Sequence, residues 1–596
     1  MIDKRSLFAR SGAALFALAA CALAGCASLQ TAPKPPAGQA VVSSADARAS
    51  EAGMEILRAG GNATDAAIAT MMVLGLVEPQ SAGVGGGGFA LTYAADNRAI
   101  SAYDGREWAP AAAGPGLFLG EDGRPMAFRE AVLSGRSVGT PSLIAMLYML
   151  HQDQGRLPWA SLFEPAIRLA ENGFELTPRL HEWIEFGAQR GRLLETPAVR
   201  AYFFDDAGTP KPIGTILRNP AYAASLRAIA IQGPRALTHG QIAQDIIAAV
   251  QAGPNPGSLT LEDLQAYRPR RLDPVCGPYR SFRVCSMGPP SSGAVAVLSI
   301  LGQYEAARPM PNGPNDADDW SAFLWASRLA YADRDHYVAD DQFVPVPTEA
   351  LVAPAYLRDR ARQIDLTRAP AGIIQPGDPS LIVGGPSYLD RWGRDRTNEV
   401  PGTTHLSVVD SAGNAVALTA TVESIFGSQR IAAGFFLNNQ LTDFSLDPLK
   451  NGLPVANAPG PRKRPRSSMS PTVILNSDGS LHMVIGSPGG SAIISYVART
   501  IIGVIDWDLP IQAAIDQPIM VASRPGAVRA EVQLLPPGMV DQLQSRGWTI
   551  QPTTMEASGL HGVLVTPEGL EGGADPRREG RAIRETITPA LTPSAR

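Results

Sequence analysis

The stretch Glu399-Val400-Pro401-Gly402-Thr403-Thr404-His405 puts a threonine behind a flexible glycine, at the head of a run that alternates as a strand. Threonine suits a strand, so the pattern has an ordinary reading. It also has a chemical one. A threonine hydroxyl needs a base to act as a nucleophile, and an N-terminal threonine carries one in its own α-amine, with a reference pKa of about 8. Thr403 gains that amine only if the chain cuts itself between Gly402 and Thr403. The hydroxyl would attack the Gly402 carbonyl, and water would open the resulting ester. Pro401 restricts the approach and Gly402 tolerates unusual torsions, so the bond can be held under strain. His405 lies close by, but an α-amine makes it unnecessary as a base, and a structural hydrogen bond is its expected role.

Other polar groups could serve such a nucleophile. "GSPGGSAI" (Gly486–Ile493) reads as a strand, a Gly-Gly turn and a helix start, a shape that can aim backbone N–H groups at a developing oxyanion. "FFLNNQLTDFS" (Phe435–Ser445) gathers Asn, Gln and Asp, "RSSMSP" (Arg466–Pro471) supplies paired serines, and "YDGREWAP" (Tyr103–Pro110) supplies Arg106. Taken singly, Asp443 could cap a turn and Ser467-Ser468 could be loop polars.

These residues need a large scaffold. The chain has 596 residues, 45% hydrophobic and 18% charged, with net charge −5 and a pI of about 5.9. That suits one large or several medium cores, and no basic footprint points to nucleic acid. The run Arg462-Lys463-Arg464, followed by Arg466, reads as a solvated loop. Residues 1–25 read as a signal peptide: Lys4 and Arg5 precede an apolar stretch too short to span a bilayer. It ends Leu23-Ala24-Gly25-Cys26, which resembles the lipobox of bacterial lipoproteins, where the cysteine carries lipid. An ordinary secretory cut near Ala27 or Ser28 is the alternative. Either way the mature protein lies outside the cytoplasm, in the periplasm or at the outer membrane, with 26–38 as an extended tether. Cys276 and Cys285 flank "GPYRSFRV", whose turn chemistry lets them face each other across a hairpin as a disulfide; two buried thiols are the alternative. The seven histidines are dispersed and no zinc motif occurs, so neither metal nor cofactor is expected.

Two helices broken at Gly60-Gly61, with Asn62 or Thr64 capping the second, are predicted near the start. "GVGGGGFALTY" (Gly83–Tyr93) lacks a Gly-Lys-Ser/Thr and a following helix, so its glycines serve tight backbone packing, not phosphate. Helices dominate from Arg136 to about Leu264. Period-two strands follow Thr403, and helices resume near Ala492. Mixed helices and hairpin-joined strands imply an α+β layered fold. Phe444–Arg466, with five prolines, is expected to be extended and stiff.

In order along the chain, "ASEAGMEILRAGGNATDAAIA", "AYADR", TTHxSVVD, NNQxxDF, RPxSSMSP, GSPGGS and "ADPRREG" resemble the γ-glutamyltranspeptidase family of N-terminal nucleophile hydrolases, over nearly all of the mature chain. The resemblance implies a four-layer αββα sandwich, self-cleaved into a large fragment (39–402) and a small catalytic one (403–596) that stay together as a heterodimer. It implies γ-glutamyl transfer or hydrolysis, with glutathione as the usual donor and water, an amino acid or a dipeptide as acceptor. By the same resemblance Thr403 is the nucleophile and Thr421 orients its hydroxyl. Arg106, Ser467 and Ser468 grip the substrate α-carboxylate, a pairing that suits a guanidinium and two hydroxyls. Gln440 and Asp443 take the α-amino group, joined by Glu423, where members carry asparagine or glutamate. Gly489 and Gly490 form the oxyanion hole, and Asn438-Asn439 is a structural pair. Two rivals stand beside this reading. A cephalosporin (glutaryl) acylase shares the scaffold, but its substrate lacks the amine that Asp443 and Gln440 would read. A catalytically silent, peptide-binding surface lipoprotein would have no need of Thr403, Thr421 and the Gly-Gly pair.

Overall fold

The computed structural model describes residues 38–587 except Arg396, Asn398 and Pro401. The signal segment 1–25, Cys26 and all of the tether but Gly38 lie outside the described residues.

Two antiparallel sheets form the middle of the molecule. Their strands are β1 (Gln39–Ser44), β2 (Gly87–Ala94), β3 (Ala99–Gly105), β4 (Arg270–Leu272), β5 (Val275–Tyr279), β6 (Phe282–Ser286), β7 (Gly402–Val409), β8 (Ala415–Glu423), β9 (Thr472–Leu475), β10 (Leu481–Gly486), β11 (His561–Thr566), β12 (Gly569–Ala574) and β13 (Arg581–Thr586). One sheet runs β13-β1-β7-β8-β2-β3-β4, the other β12-β11-β10-β9-β6-β5. β7 and β8 of the first face β10 of the second, and both faces of β7 are buried. Helices cover the outer faces, so the layers run helix, sheet, sheet, helix: the αββα sandwich of an α+β protein.

The first sheet is covered by α1 (Ala47–Arg58), α2 (Ala63–Val77) and α3 (Leu143–Gln154). Gly60, at φ +92°, ends α1, and Asn62 caps α2 in a reciprocal pair with Asp65. Every residue of α2 is buried, and a Cβ on Gly53 of α1 would meet Thr70 Oγ1 at 2.3 Å. Small residues therefore let the two helices close on each other. The second sheet is covered by α4 (Gly293–Ala307), α5 (Ala317–Tyr337) and α6 (Ile493–Ile505). The glycine run before β2 has the packing role expected of it: a Cβ at Gly86 would lie 2.0 Å from the Thr421 carbonyl oxygen.

Both sheets combine strands from before and after Gly402. β1 lies between β13 and β7, and β6 beside β9. A cut before Thr403 would leave two fragments that share both sheets and both cores, not two separable domains.

Cys276 and Cys285 are direct partners on β5 and β6, with Cα atoms 4.1 Å apart and the sulfurs bonded. A thiol reagent applied under non-reducing denaturation should label neither in exported protein, and both after reduction; labelling before reduction would mean free thiols. The stretch 444–466 departs from the stiff, extended course its prolines imply. Leu449–Lys450 and Leu453–Pro454 pair as a small hairpin around Asn451-Gly452, both at positive φ. An Asn-Gly turn with that geometry matches strand twist and overrides the prolines on either side.

Candidate active site

Thr403, second in β7, stands opposite Thr421 of β8. Their hydroxyl oxygens are 3.1 Å apart. The Thr421 hydroxyl donates to the Gly402 carbonyl oxygen at 2.7 Å and accepts from the Glu423 N–H at 2.8 Å. With its one proton engaged on Gly402, Thr421 can meet Thr403 only as an acceptor. The register shifts between Thr421 and Glu423, and Glu423 sits at φ +80°, a strained conformation for a residue with a side chain. A Cβ at position 402 would lie 2.2 Å from the Glu423 carbonyl oxygen, so the site before Thr403 has room only for glycine.

Gly489 (φ +136°) and Gly490 (φ +57°) turn the chain from β10 into α6. A Cβ on Gly490 would meet the carbonyl oxygens of Glu399 and Val400 at 2.6 and 2.9 Å. The turn is thus pressed against the segment that leads into the Gly402–Thr403 bond.

Arg106 follows β3 and is buried. Its Nη2 donates to Asp443 Oδ2 at 2.6 Å and to the Arg466 carbonyl at 2.6 Å, and its Nε to the Pro465 carbonyl at 3.1 Å. Gln440 Nε2 donates to the same Asp443 oxygen at 2.7 Å. Asp443 Oδ1 and Gln440 Oε1 are buried without a hydrogen-bond partner among the described residues. Burial pushes the Asp443 carboxyl up to about 6, with Arg106 opposing and the Glu399 charge reinforcing. Burial and then the Asp443 charge push Glu423 well above the carboxylate range. Glu423 accepts from Ser424 Oγ at 2.6 Å and from Asn439 Nδ2. Asn438 ties Gly85 and Gly139 together through its amide, a structural part as expected.

Ser468 does not face Arg106. Its hydroxyl donates to Glu399 Oε2 at 2.5 Å and accepts from Arg334 Nη2 at 2.6 Å. Arg334 also pairs with Glu399, and Arg466 Nε lies 3.6 Å from it. Burial disfavours the Glu399 carboxylate, but the two guanidiniums outweigh it and hold the group below its ordinary range. Ser467 turns its hydroxyl to the Met469 N–H at 3.1 Å. The uncut chain therefore presents an acid of its own, four residues before the nucleophile, to part of the site. Thr403 is only 3% exposed.

Arg334, Arg466 and Glu399 were not singled out as site residues in the sequence. A lone acid before Pro-Gly carries no signal, although "AYADR" and RPxSSMSP held the two arginines. Of the basic run only Arg462 is exposed as a solvated loop would have it; Lys463, Arg464 and Arg466 are buried. Lys463 donates to two carbonyls, at 2.6 and 2.8 Å, while Arg464 and Arg466 face Asp104 and Asp395. His405 lies between the sheets, bonded to Thr419 Oγ1 at 2.8 Å and Ser407 Oγ at 3.1 Å. Burial drives its pKa well down, so it is a neutral, structural histidine.

The gamma-glutamyltranspeptidase family model matches residues 49–584. A glutathione hydrolase proenzyme of Escherichia coli is 36% identical over 91% of each chain. The acylase ACY 1 proenzyme of a Pseudomonas species is 31% identical over 90% of this chain and 91% of its own. Among solved structures, a cephalosporin acylase from Bacillus halodurans aligns with a TM-score of 0.77 at 26% identity, covering 93% of this chain and 98% of that one.

Proposed function

Since this chain belongs to the γ-glutamyltranspeptidase family, we propose that it is a self-processing γ-glutamyl hydrolase and transferase acting on glutathione and related γ-glutamyl compounds. The observation that carries this reading is the Thr403–Thr421–Gly402 contact. As Thr403 Oγ1 bonds to the Gly402 carbon, its proton passes to Thr421 Oγ1, and the Thr421 proton passes to the Gly402 oxygen. The tetrahedral centre then returns that proton to the Thr403 nitrogen as the C–N bond breaks. An ester remains, which water opens to free the α-amine. In the processed enzyme this amine takes the Thr403 proton while the hydroxyl attacks a γ-glutamyl amide. The Gly489-Gly490 turn supplies N–H groups to the oxyanion, a kind of donor whose loss typically costs about 10²–10³ in rate. The leaving amine departs, and water or an acceptor amine resolves the γ-glutamyl ester.

Recognition follows from the same residues. Arg106, Ser467 and Ser468 suit the substrate α-carboxylate, and Asp443, Gln440 and Glu423 its ammonium. Withdrawal of Glu399 after the cut would free Ser468 for this task. The acylase reading has support in the 31% identical acylase. Against it stand the buried, unpaired acceptors of Asp443 and Gln440, which a glutaryl chain has no donor to meet.

The hairpin between Asp443 and Ser467 carries no aromatic residue, and Leu449, at the base of its first strand, is 54% exposed. Such a loop covers an acyl-enzyme poorly, so water should compete well. Glycylglycine should raise the turnover of γ-glutamyl-p-nitroanilide less than about threefold, with free glutamate as the main product. A many-fold rise with almost no glutamate would reject the open site. We place the mature protein outside the cytoplasm as a lipoprotein, on the strength of residues 1–26. Cys26→Ser should then shift the protein from the membrane fraction to a soluble or unprocessed form. A wild-type protein already soluble outside the cell's inner membrane would favour an ordinary signal peptide.

A further inference from the structure

Arg328, Tyr331 and Arg334 follow one another at three-residue steps along α5, a spacing that keeps neighbours on one side of a helix. Arg334 touches Ser468, and the Tyr331 hydroxyl donates to the carbonyl of Ser491, next to Gly490. Arg328 lies six residues further back, about 9 Å along the helix axis at 1.5 Å per residue. The row thus leads away from the nucleophile, past the oxyanion turn.

Arg328 is 7% exposed, and its Nη2 donates to the Gly526 carbonyl at 2.7 Å. Its Nε and Nη1 are buried without a hydrogen-bond partner among the described residues. Burial alone pulls the guanidinium down to about 10, with no carboxylate acting against it. A buried cation with two idle donors is costly, and a bound anion would relieve that cost. Space for one exists. Arg328 lines a cavity of about 290 Å³, together with Arg394, Arg524 and Trp548. A second cavity, of about 230 Å³, shares Ser523, Arg524 and Pro525 with the first and is lined by Tyr331, Arg334 and Ser491. Among the described residues the only acid lining either is Asp335, already 3.0 Å from Arg334 and 3.8 Å from Arg394.

We propose that these joined cavities form a subsite for the part of the substrate beyond the scissile amide, and that Arg328 receives a carboxylate there. The subsite selects γ-glutamyl compounds whose leaving portion, or the acceptor that replaces it, is an acidic peptide. The inference rests on the acyl-transfer reading of Thr403, and neutral donors separate the two.

The test uses the purified, processed enzyme and three donors: γ-glutamyl-p-nitroanilide, γ-glutamyl-glutamyl-glutamate, and the same tripeptide with only the carboxylates of its two leaving residues as amides, the α-carboxylate of the γ-glutamyl group being kept. Wild type should show kcat/KM about tenfold higher for the acid than for the amide. Arg328→Gln should bring that ratio close to one, and Arg328→Lys should restore part of it. Should Arg328→Gln not fold, Thr549→Glu at the exposed cavity mouth should lower the same ratio by adding a negative charge. A wild-type ratio near one, or variants that slow acid and amide donors equally, would overturn the subsite. No release of p-nitroaniline by wild type would instead sink the acyl-transfer reading, and the subsite with it.

Discussion

Thr403→Ala is expected to give one full-length band on a denaturing gel and no γ-glutamyl turnover. The wild type should give two, the smaller being residues 403–596, about a third of the chain, with Thr403 as its first residue on N-terminal sequencing. Alanine removes the hydroxyl that this mechanism uses to attack Gly402 and leaves the rest of the geometry standing. Thr421 keeps its bond to the Gly402 carbonyl, and β7 keeps its register with β8. The fold should therefore survive, since one buried hydroxyl bond is worth only about 1 kcal/mol. The loss in activity should be on the order of 10⁴-fold or more, as for other deleted nucleophiles. Thr403→Ser keeps the hydroxyl but loses the methyl that fixes its rotamer, so cleavage should be slowed and incomplete. Thr421→Val should also block cleavage while keeping shape, because both steps of the proton path run through its oxygen. A fully active but uncut wild type would remove the whole mechanism, and a cut Thr403→Ala chain would move the nucleophile elsewhere.

The parts of this site that sequence reveals are those set by local chemistry. Thr403 at a strand head after glycine, the Gly-Gly turn before a helix and the Asn62 cap depend on neighbours along the chain, and all three stand where local reading puts them. What sequence hides is set by distance in the chain. Glu399 meets Ser468, 69 residues away, and Arg334 meets both. Nothing in an acid before Pro-Gly, or in an arginine at the end of "AYADR", announces a buried ion pair. The basic run around Lys463 misleads for the same reason. Charge density suggests solvent, but its partners are Asp104, Asp340 and Asp395 and the carbonyls of its own loop. The prolines of 444–466 were outweighed by two residues, Asn451 and Gly452, whose turn geometry decides the course of the chain there.

Asp443→Asn should weaken γ-glutamyl substrates selectively, and its pH dependence should say why. Asp443 Oδ1 and Gln440 Oε1 are two buried acceptors with nothing to accept from among the described residues. An unmet acceptor costs free energy, and two of them, one charged, suit a cation donor such as a substrate ammonium. Replacing the carboxylate by an amide turns a charge-assisted bond into a neutral one and offers an N–H where an acceptor is needed. The expected loss is about 1.5–3 kcal/mol, or roughly 10–150-fold in kcat/KM. Glutaryl donors, which lack the amine, should lose much less; equal losses on both would mean that Asp443 does not read the ammonium. The sign of the pH effect is fixed by the direction of the shift. Burial raises the Asp443 pKa to about 6, so the carboxylate is present above that value and is lost as pH falls through it. Wild-type kcat/KM for γ-glutamyl donors should therefore fall about tenfold per pH unit on the acid side. Processing would take the Glu399 charge away from Asp443, so this limb should lie at or below pH 6 in the cut enzyme. Glu423 and Glu107 also lie close by, but burial holds both protonated above that range, Glu107 up to about 8, while Glu399 is held below its ordinary range, so none of the three supplies the same limb. In Asp443→Asn the acid limb should vanish. If it persists unchanged, the titrating group is another one, and the ammonium must be held by Gln440 and Glu423 alone.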